Sequence, residues 1–289
     1  MKLLVQGDDF GFTKGVIYGI VDAIDNGILR NTGLFANSPY ARLAASFMDE
    51  RRDKVCFGID FNLVSGPSLL KKEDIPHLID DQGIFIRSGV RQKDDLYKTE
   101  EGRRKLFPYE EVYKELRAQY DAFVSLTCHK PGYLAPHSLG AETYFEAIEQ
   151  ISKETGVPYA FDIQKQYDFA NLFMILMQER KDLASQNKTF DALDQINKNP
   201  VQDIIDHWDY LMSKEYVSIG QHPGFLDAEL LEQSSLSIER VRDHQMMTSP
   251  VIKKLIEDNH VELITYYDLE YCLTFNLNAT FQVNATQNK

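Results

Sequence analysis

Cysteine is scarce in this 289-residue chain: Cys56, Cys128 and Cys272 are widely separated, odd in number and form no CxxC pair. Neither a disulfide framework nor a cysteine zinc site can organise such a fold. Long hydrophobic runs are missing as well. The apolar stretch that opens the chain stops at Val5, too short for a signal-peptide core or a membrane span, so a cytoplasmic protein with no membrane partner is expected. Positive charge is in deficit, with 31 Lys and Arg against 44 Asp and Glu and a formal balance of −13. That balance argues against nucleic acid or an anionic membrane surface as the main partner. The chain has no dinucleotide glycine signature, long internal repeat or low-complexity region. Its hydrophobic content of 43% is ordinary for a globular chain, and a single domain over residues 1–289 is expected. Asn187, Asn278 and Asn284 open N-x-T triplets that are read as chance in a cytoplasmic protein.

Short apolar stretches alternate with segments of helical periodicity. Strands are expected at Leu3 to Val5 and over residues 33–37, 55–60, 133–135, 158–162, 216–220 and 261–265. Between the first two, Val16, Ile17, Ile20, Val21 and Ile24 recur on one helical face, with Gly27 placed as a C-cap. Ser38 and Pro39 suit the start of a second helix reaching Met48, and further helices are expected over 109–124, 144–154 and 250–258. Seven strands alternating with helices imply a parallel α/β fold, read as a seven-stranded TIM-like (β/α) barrel. Residues 66–108 and 164–200 break the alternation and are expected as loop insertions at the barrel mouth. The polar tail, residues 276–289, receives no role.

Two adjacent carboxylates, Asp8 and Asp9, stand at the end of the first apolar run. Neighbours on an extended strand point to opposite faces, so both can serve one site only where the strand breaks, as Gly7 and Gly11 would allow. Such a pair is tolerable where a cation lies between the two or one acts as a base. Other polar residues gather at the expected strand ends: Asn37, Asp60, His137, His222 and Asp268. In a parallel barrel these ends share one face, where active sites are assembled. Asp9, Asp60 and His137 would supply two oxygens and one nitrogen, a donor set suited to a divalent metal with positions open for water. His222, held before Pro223-Gly224, is the candidate acid or oxyanion partner. Asn37, Tyr40, Phe61, Tyr133 and Phe225 are the candidate substrate-binding residues, the four aromatics by stacking on a ligand. His77, His129, His207, His244 and His260 are read as surface or satisfied core residues, and Trp208 as packing.

The order of these motifs resembles the YdjC-like carbohydrate deacetylases, the family that includes the chitooligosaccharide deacetylase. The resemblance runs from Asp8-Asp9-Phe10-Gly11 through residues 58–63, Gly66-Pro67, Pro131 to His137 and His222-Pro223-Gly224-Phe225. It continues in residues 240–243, 248–250 and 263–269. It implies a polysaccharide-deacetylase-like barrel holding one divalent metal ion (Mg, Mn or Zn) and removing an N-acetyl group from an amino sugar or short oligosaccharide. It further implies that Asp8 is the base, and that Asp9 and His137 are metal ligands. The family's other ligand is a histidine, and this chain carries Asp60 there. Ala135-Pro136-His137-Ser138 likewise departs from the family's Asp-Ser-His run. Two other readings remain open: a metal-dependent hydrolase of another amide or ester, and a degenerate member that binds a carbohydrate or partner without turnover. A small acetylated sugar is the expected partner, with a homodimer left open.

Overall fold

Leu3, Leu4 and Val5 are buried in succession, so both faces of their strand are covered, the signature of a central strand in a parallel sheet. In the computed structural model, which describes residues 1–179 and 191–272, this strand is β1 (Lys2–Phe10). The others are β2 (Asn31–Leu34), β3 (Cys56–Phe61), β4 (Leu134–Pro136), β5 (Ala170–Asn171), β6 (Tyr216–Gln221) and β7 (Glu262–Ile264). All are parallel, in the order β4-β3-β2-β1-β6-β5 with β7 on β1. β6 takes one edge of β1 along Lys2 to Gly7, while β7 and β2 share the other, β7 at Lys2 to Leu4 and β2 from Gln6 onward. Asn31 ties that junction: its Nδ2 donates to the carbonyls of Val5 and Ile264, and its Oδ1 accepts from the Tyr266 backbone N–H.

The expected barrel therefore needs correction. Seven parallel strands form, but among the described residues β4 and β5 do not pair with each other, and the sheet is an open half-barrel. Residues 158–162 are the reason. Only Tyr159 bridges to Leu134, and a helix, Ala160–Gln166, begins at the next residue. A five-residue apolar run is compatible with either conformation, and here tertiary packing selects the helix.

The two faces of the sheet are covered differently. Leu3 and Val5 join a large apolar cluster with Val16, Ile17, Ile20 and Ile24 of the helix Lys14–Asp25. Leu4 points the other way, into a smaller cluster with Cys56, Tyr133, Ala135, Ile264 and Tyr266. The helix Lys14–Asp25 is capped by Thr13, whose hydroxyl accepts from the Val16 N–H, and it ends on Asn26, one residue before the expected Gly27 cap. The helices Tyr109–Thr127, Glu142–Thr155 and Pro250–Asp258 match expectation closely. The helix after Ser38 is shorter than expected, Ala41–Ala45, and the Ser38 hydroxyl donates to the Gly11 carbonyl and accepts from the Tyr40 N–H.

Residues 66–108 form an ordered excursion, anchored where Glu115 accepts from the N–H groups of Leu69 and Leu70. Residues 164–200 are not wholly an insertion, since β5 and the helix Leu172–Glu179 lie within them. A two-residue strand carries no period to read. No helix of the described residues is long and apolar enough to cross a membrane. The triplets at Asn187, Asn278 and Asn284 and the tail 276–289 lie outside the described residues.

Candidate active site at the strand ends

β1 does not break at its acidic pair; it bulges. Gly7 pairs with Thr32 and Phe10 with Leu34, three steps on β1 against two on β2, so one extra residue is accommodated at Asp8–Asp9. Asp9 takes a φ of 73°, and Gly11 a φ of 98°. Aspartate is among the residues that tolerate this left-handed region best. The bulge reverses the alternation of the strand, and Phe10 rejoins the cluster that holds Leu3 and Val5. Both carboxylates are thereby delivered to the strand-end face.

Their surroundings differ sharply. Asp9 is fully buried, with Oδ2 accepting from Arg240 Nη2 at 2.6 Å and Oδ1 lying 2.8 Å from His137 Nδ1. Burial pushes its carboxyl up, but the charges of His137 and Arg240 outweigh burial and hold it well below the usual carboxylate range. Among the described residues no cation is paired with Asp8. Burial raises it to about 6, Asp9 adds to the rise, and the hydrogen bond from Gln6 Nε2 at 2.6 Å opposes it. Gln6 is itself oriented, since Gln164 Nε2 donates to the Tyr266 hydroxyl and that hydroxyl donates to Gln6 Oε1, both at 2.8 Å.

Asp60 reaches the same place from β3, where its Oδ2 accepts from the Asp9 backbone N–H at 2.8 Å. Burial first, then the negative charges of Asp8 and Asp9, push its carboxyl well above the usual range. His137 follows β4; its backbone N–H donates to the Phe61 carbonyl at 2.9 Å and its ring packs edge-on to Phe35. His222 follows β6, and its backbone N–H donates to Asp243 Oδ2 at 3.1 Å. Asp243 is fully buried and bound through Oδ1 to Lys198 Nζ at 2.9 Å. Burial pulls the His222 imidazole down to about 3; Arg240, Lys198 and His137 add to the fall, and Asp9 opposes it. At neutral pH this imidazole is uncharged and can donate one hydrogen bond.

The structure thus brings Asp8, Asp9, Asp60, His137 and His222 to one face. It does not arrange the expected donors as a coordination group: among the described residues no set of three or more His, Cys, Asp and Glu side chains is placed to hold a metal ion. Asp9 Oδ2 is taken by the Arg240 guanidinium, Asp9 Oδ1 lies 2.8 Å from His137 Nδ1, and one Asp60 oxygen is taken by a backbone N–H. The three-donor set does not fit the ion as it stands.

The candidate substrate residues divide. Phe61 and Tyr133 are sealed in the core and present no face to a ligand; Phe61 ends β3 inside the large apolar cluster, and Tyr133, just before β4, lies 4.3 Å from Tyr266, centroid to centroid. Asn37 is buried and committed, with Nδ2 on the Pro67 carbonyl and Oδ1 accepting from Asn62. Tyr40 is half-buried, its hydroxyl donating to Glu229 at 2.6 Å. Phe225 remains exposed, set edge-on against His244. His77, His207 and His244 are satisfied by Glu111, Glu179 and Asp22, and Trp208 is buried.

Arg240, Asp243, Lys198 and Gln6 were not singled out as site residues by the sequence. For two of them a signal exists: the helix Glu239–Thr248 buries Arg240, Asp243, Met246 and Met247 on one face. Charged residues at core positions of a helix demand partners. Lys198, in a polar stretch, carries no such mark.

The sequence pattern described as YdjC-like protein matches residues 2–258. A protein of Listeria innocua named carbohydrate deacetylase 2 is 29% identical over 274 residues, covering 93% of this chain and 99% of its own. One from Clostridium beijerinckii named carbohydrate deacetylase is 25% identical over 272 residues, covering 93% and 100%. Among solved structures, an Enterococcus faecalis V583 protein named for cellobiose-phosphate cleavage superposes with a TM-score of 0.69 at 22% identity, over 92% of this chain and 98% of that one. This last likeness concerns the fold alone.

Proposed function

We propose that this chain, which belongs to the YdjC-like protein family, hydrolyses the N-acetyl group of an amino sugar or short oligosaccharide and releases acetate. One observation carries the reading: two adjacent carboxylates whose surroundings drive them apart, Asp8 to about 6 and Asp9 well below the usual range. Neighbouring groups with separated pKa values mark an acid–base assignment. The relatives named carbohydrate deacetylase supply the substrate class.

The steps follow from these groups. Asp8, ionised above its midpoint, takes a proton from water as the water oxygen bonds to the acetyl carbonyl carbon. The carbonyl electrons move onto oxygen, and the neutral His222 imidazole donates a hydrogen bond to that oxyanion. The proton held by Asp8 then passes to the amide nitrogen, the C–N bond breaks, and acetate and the free amino sugar leave. Arg240 and His137 keep Asp9 anionic beside Asp8, so the Asp8 proton is not lost to its neighbour. Dependence on Mg, Mn or Zn is a separate part of the proposal, and it goes to the same experiment.

Purified protein, stripped with chelator and resupplied with each ion in turn, is assayed for acetate release from N-acetylglucosamine and its short oligomers. Wild type is expected to release acetate and Asp8→Asn to lose most of the rate. A wild type that releases none under any condition overturns hydrolysis. It would favour a member that binds sugar without turnover, a reading that the buried ion pair of Asp9 Oδ2 with Arg240 supports.

A further inference from the structure

We propose that Asp60 is a positioning residue that builds the β1 bulge through the backbone of Asp9, and that it acts in this way instead of as a metal donor. The bulge leaves the Asp9 N–H without a partner on β2, because the register slips between Gly7 and Phe10. A buried N–H must be satisfied. The Asp60 carboxylate supplies the acceptor, at 2.8 Å, from β3.

β3 and β1 lie on opposite sides of β2, so the carboxylate has to pass over β2 to reach Asp9. It passes at Gly33. A Cβ on Gly33 would stand 1.9 Å from Asp60 Oδ1 and 2.2 Å from its Cγ, so any side chain there would close the crossing. Gly33 has no positive φ, so its bareness serves this passage and not a turn. Held at its amide, Asp9 keeps its φ of 73° and sets its two oxygens between Arg240 and His137. Asp8 is turned toward Gln6 by the same bulge. Asp60 therefore orients both carboxylates of the pair.

The proposal rests on the deacetylase reading only for turnover, and the test separates the two. Asp60→Asn, Asp60→Ala and Gly33→Ala are compared with wild type by amide hydrogen exchange at Asp9, by calorimetric titration with Mn²⁺ and Zn²⁺, and by kcat. Asp60→Asn keeps an oxygen that accepts the same bond, so exchange at Asp9 should stay within about threefold of wild type, whereas Asp60→Ala should quicken it by about tenfold or more. Gly33→Ala should quicken it too, with the Asp60 side chain intact. The kcat should follow the same order, Asp60→Asn recovering about tenfold over Asp60→Ala. An Asp9 amide equally protected in Asp60→Ala overturns the proposal. So does a loss of about tenfold or more in divalent affinity on Asp60→Asn with Asp9 still protected, because that is the mark of a donor. A chain without turnover would sink the deacetylase reading and leave the exchange measurement to decide this one.

Discussion

Arg240 Nη2 donates to Asp9 Oδ2 at 2.6 Å across 231 positions of sequence, and neither residue is exposed by more than 1%. The guanidinium also donates through Nε to the Leu236 carbonyl and lies over the Phe12 ring. A pair so enclosed is fixed in position on both sides, and its loss leaves a charge that water cannot reach.

Arg240→Met should therefore cost about 3–5 kcal/mol in urea denaturation at neutral pH. Adding Asp9→Asn should return part of that cost. The acid limb supplies a sign. Asp9 has a depressed folded pKa, so its stabilisation is present above the unfolded value of about 3.9 and is lost as pH falls through the folded value. Without Arg240 that loss should begin at higher pH. A cost under about 1 kcal/mol would contradict the buried pairing.

The rate should rise with pH as Asp8 ionises, with its midpoint near 6. Gln6→Met removes the hydrogen bond that lowers Asp8, so the midpoint should move upward. Stability runs the other way. A raised folded pKa gives stabilisation that is complete below the unfolded value and lost as pH rises through about 6. Asp8→Asn should thus stabilise the fold at pH 7 by about 1–3 kcal/mol while removing most activity, and the gain should vanish near pH 4. Thermal melts at the two pH values measure it.

Gly33→Ala should destabilise by about 1–3 kcal/mol, the usual range for a side chain forced into a filled space. Since the clash is with Asp60, the double variant Gly33→Ala/Asp60→Ala should lose less than the sum of the two single losses. Strict additivity in that cycle would place the clash elsewhere.

Lys198 is bound to buried Asp243 and lies 3.5 Å from Glu239, and its charge helps to depress His222. Lys198→Met should raise the His222 titration midpoint toward the ordinary imidazole value of about 6.5, read from ring proton shifts. A midpoint unchanged by the substitution would leave the depression to burial and the neighbouring Arg240 and His137.

Local pattern carried a good part of the fold. The helices Lys14–Asp25, Tyr109–Thr127 and Pro250–Asp258 are legible because their apolar residues repeat on one face over several turns, and Pro250 opens the last. The strand ends carrying Asp9, Asp60, His137 and His222 are legible for a related reason: in a parallel α/β chain every strand runs the same way, and polar residues just past apolar runs fall on one edge. The family resemblance added the expectation that Asp8 acts as the base.

What each residue does on that edge was not legible. Strand closure failed at residues 158–162 because five apolar residues have no period long enough to separate strand from helix, and packing decided it. Phe61 and Tyr133 read as ligand platforms by position, yet they are core, since the face a strand residue presents depends on register and register depends on partners. Asp8 and Asp9 are adjacent and chemically identical in the sequence. The fold supplies the physical difference, burying both but placing Arg240 and His137 against one and a glutamine amide against the other. Asp60 likewise becomes an acceptor for a backbone N–H only through the slip in register and the bare crossing at Gly33. Periodicity acts between residues a few positions apart and is written in the chain. Charge and hydrogen bonding act between residues a few ångströms apart, and that nearness exists only once the sheet has formed.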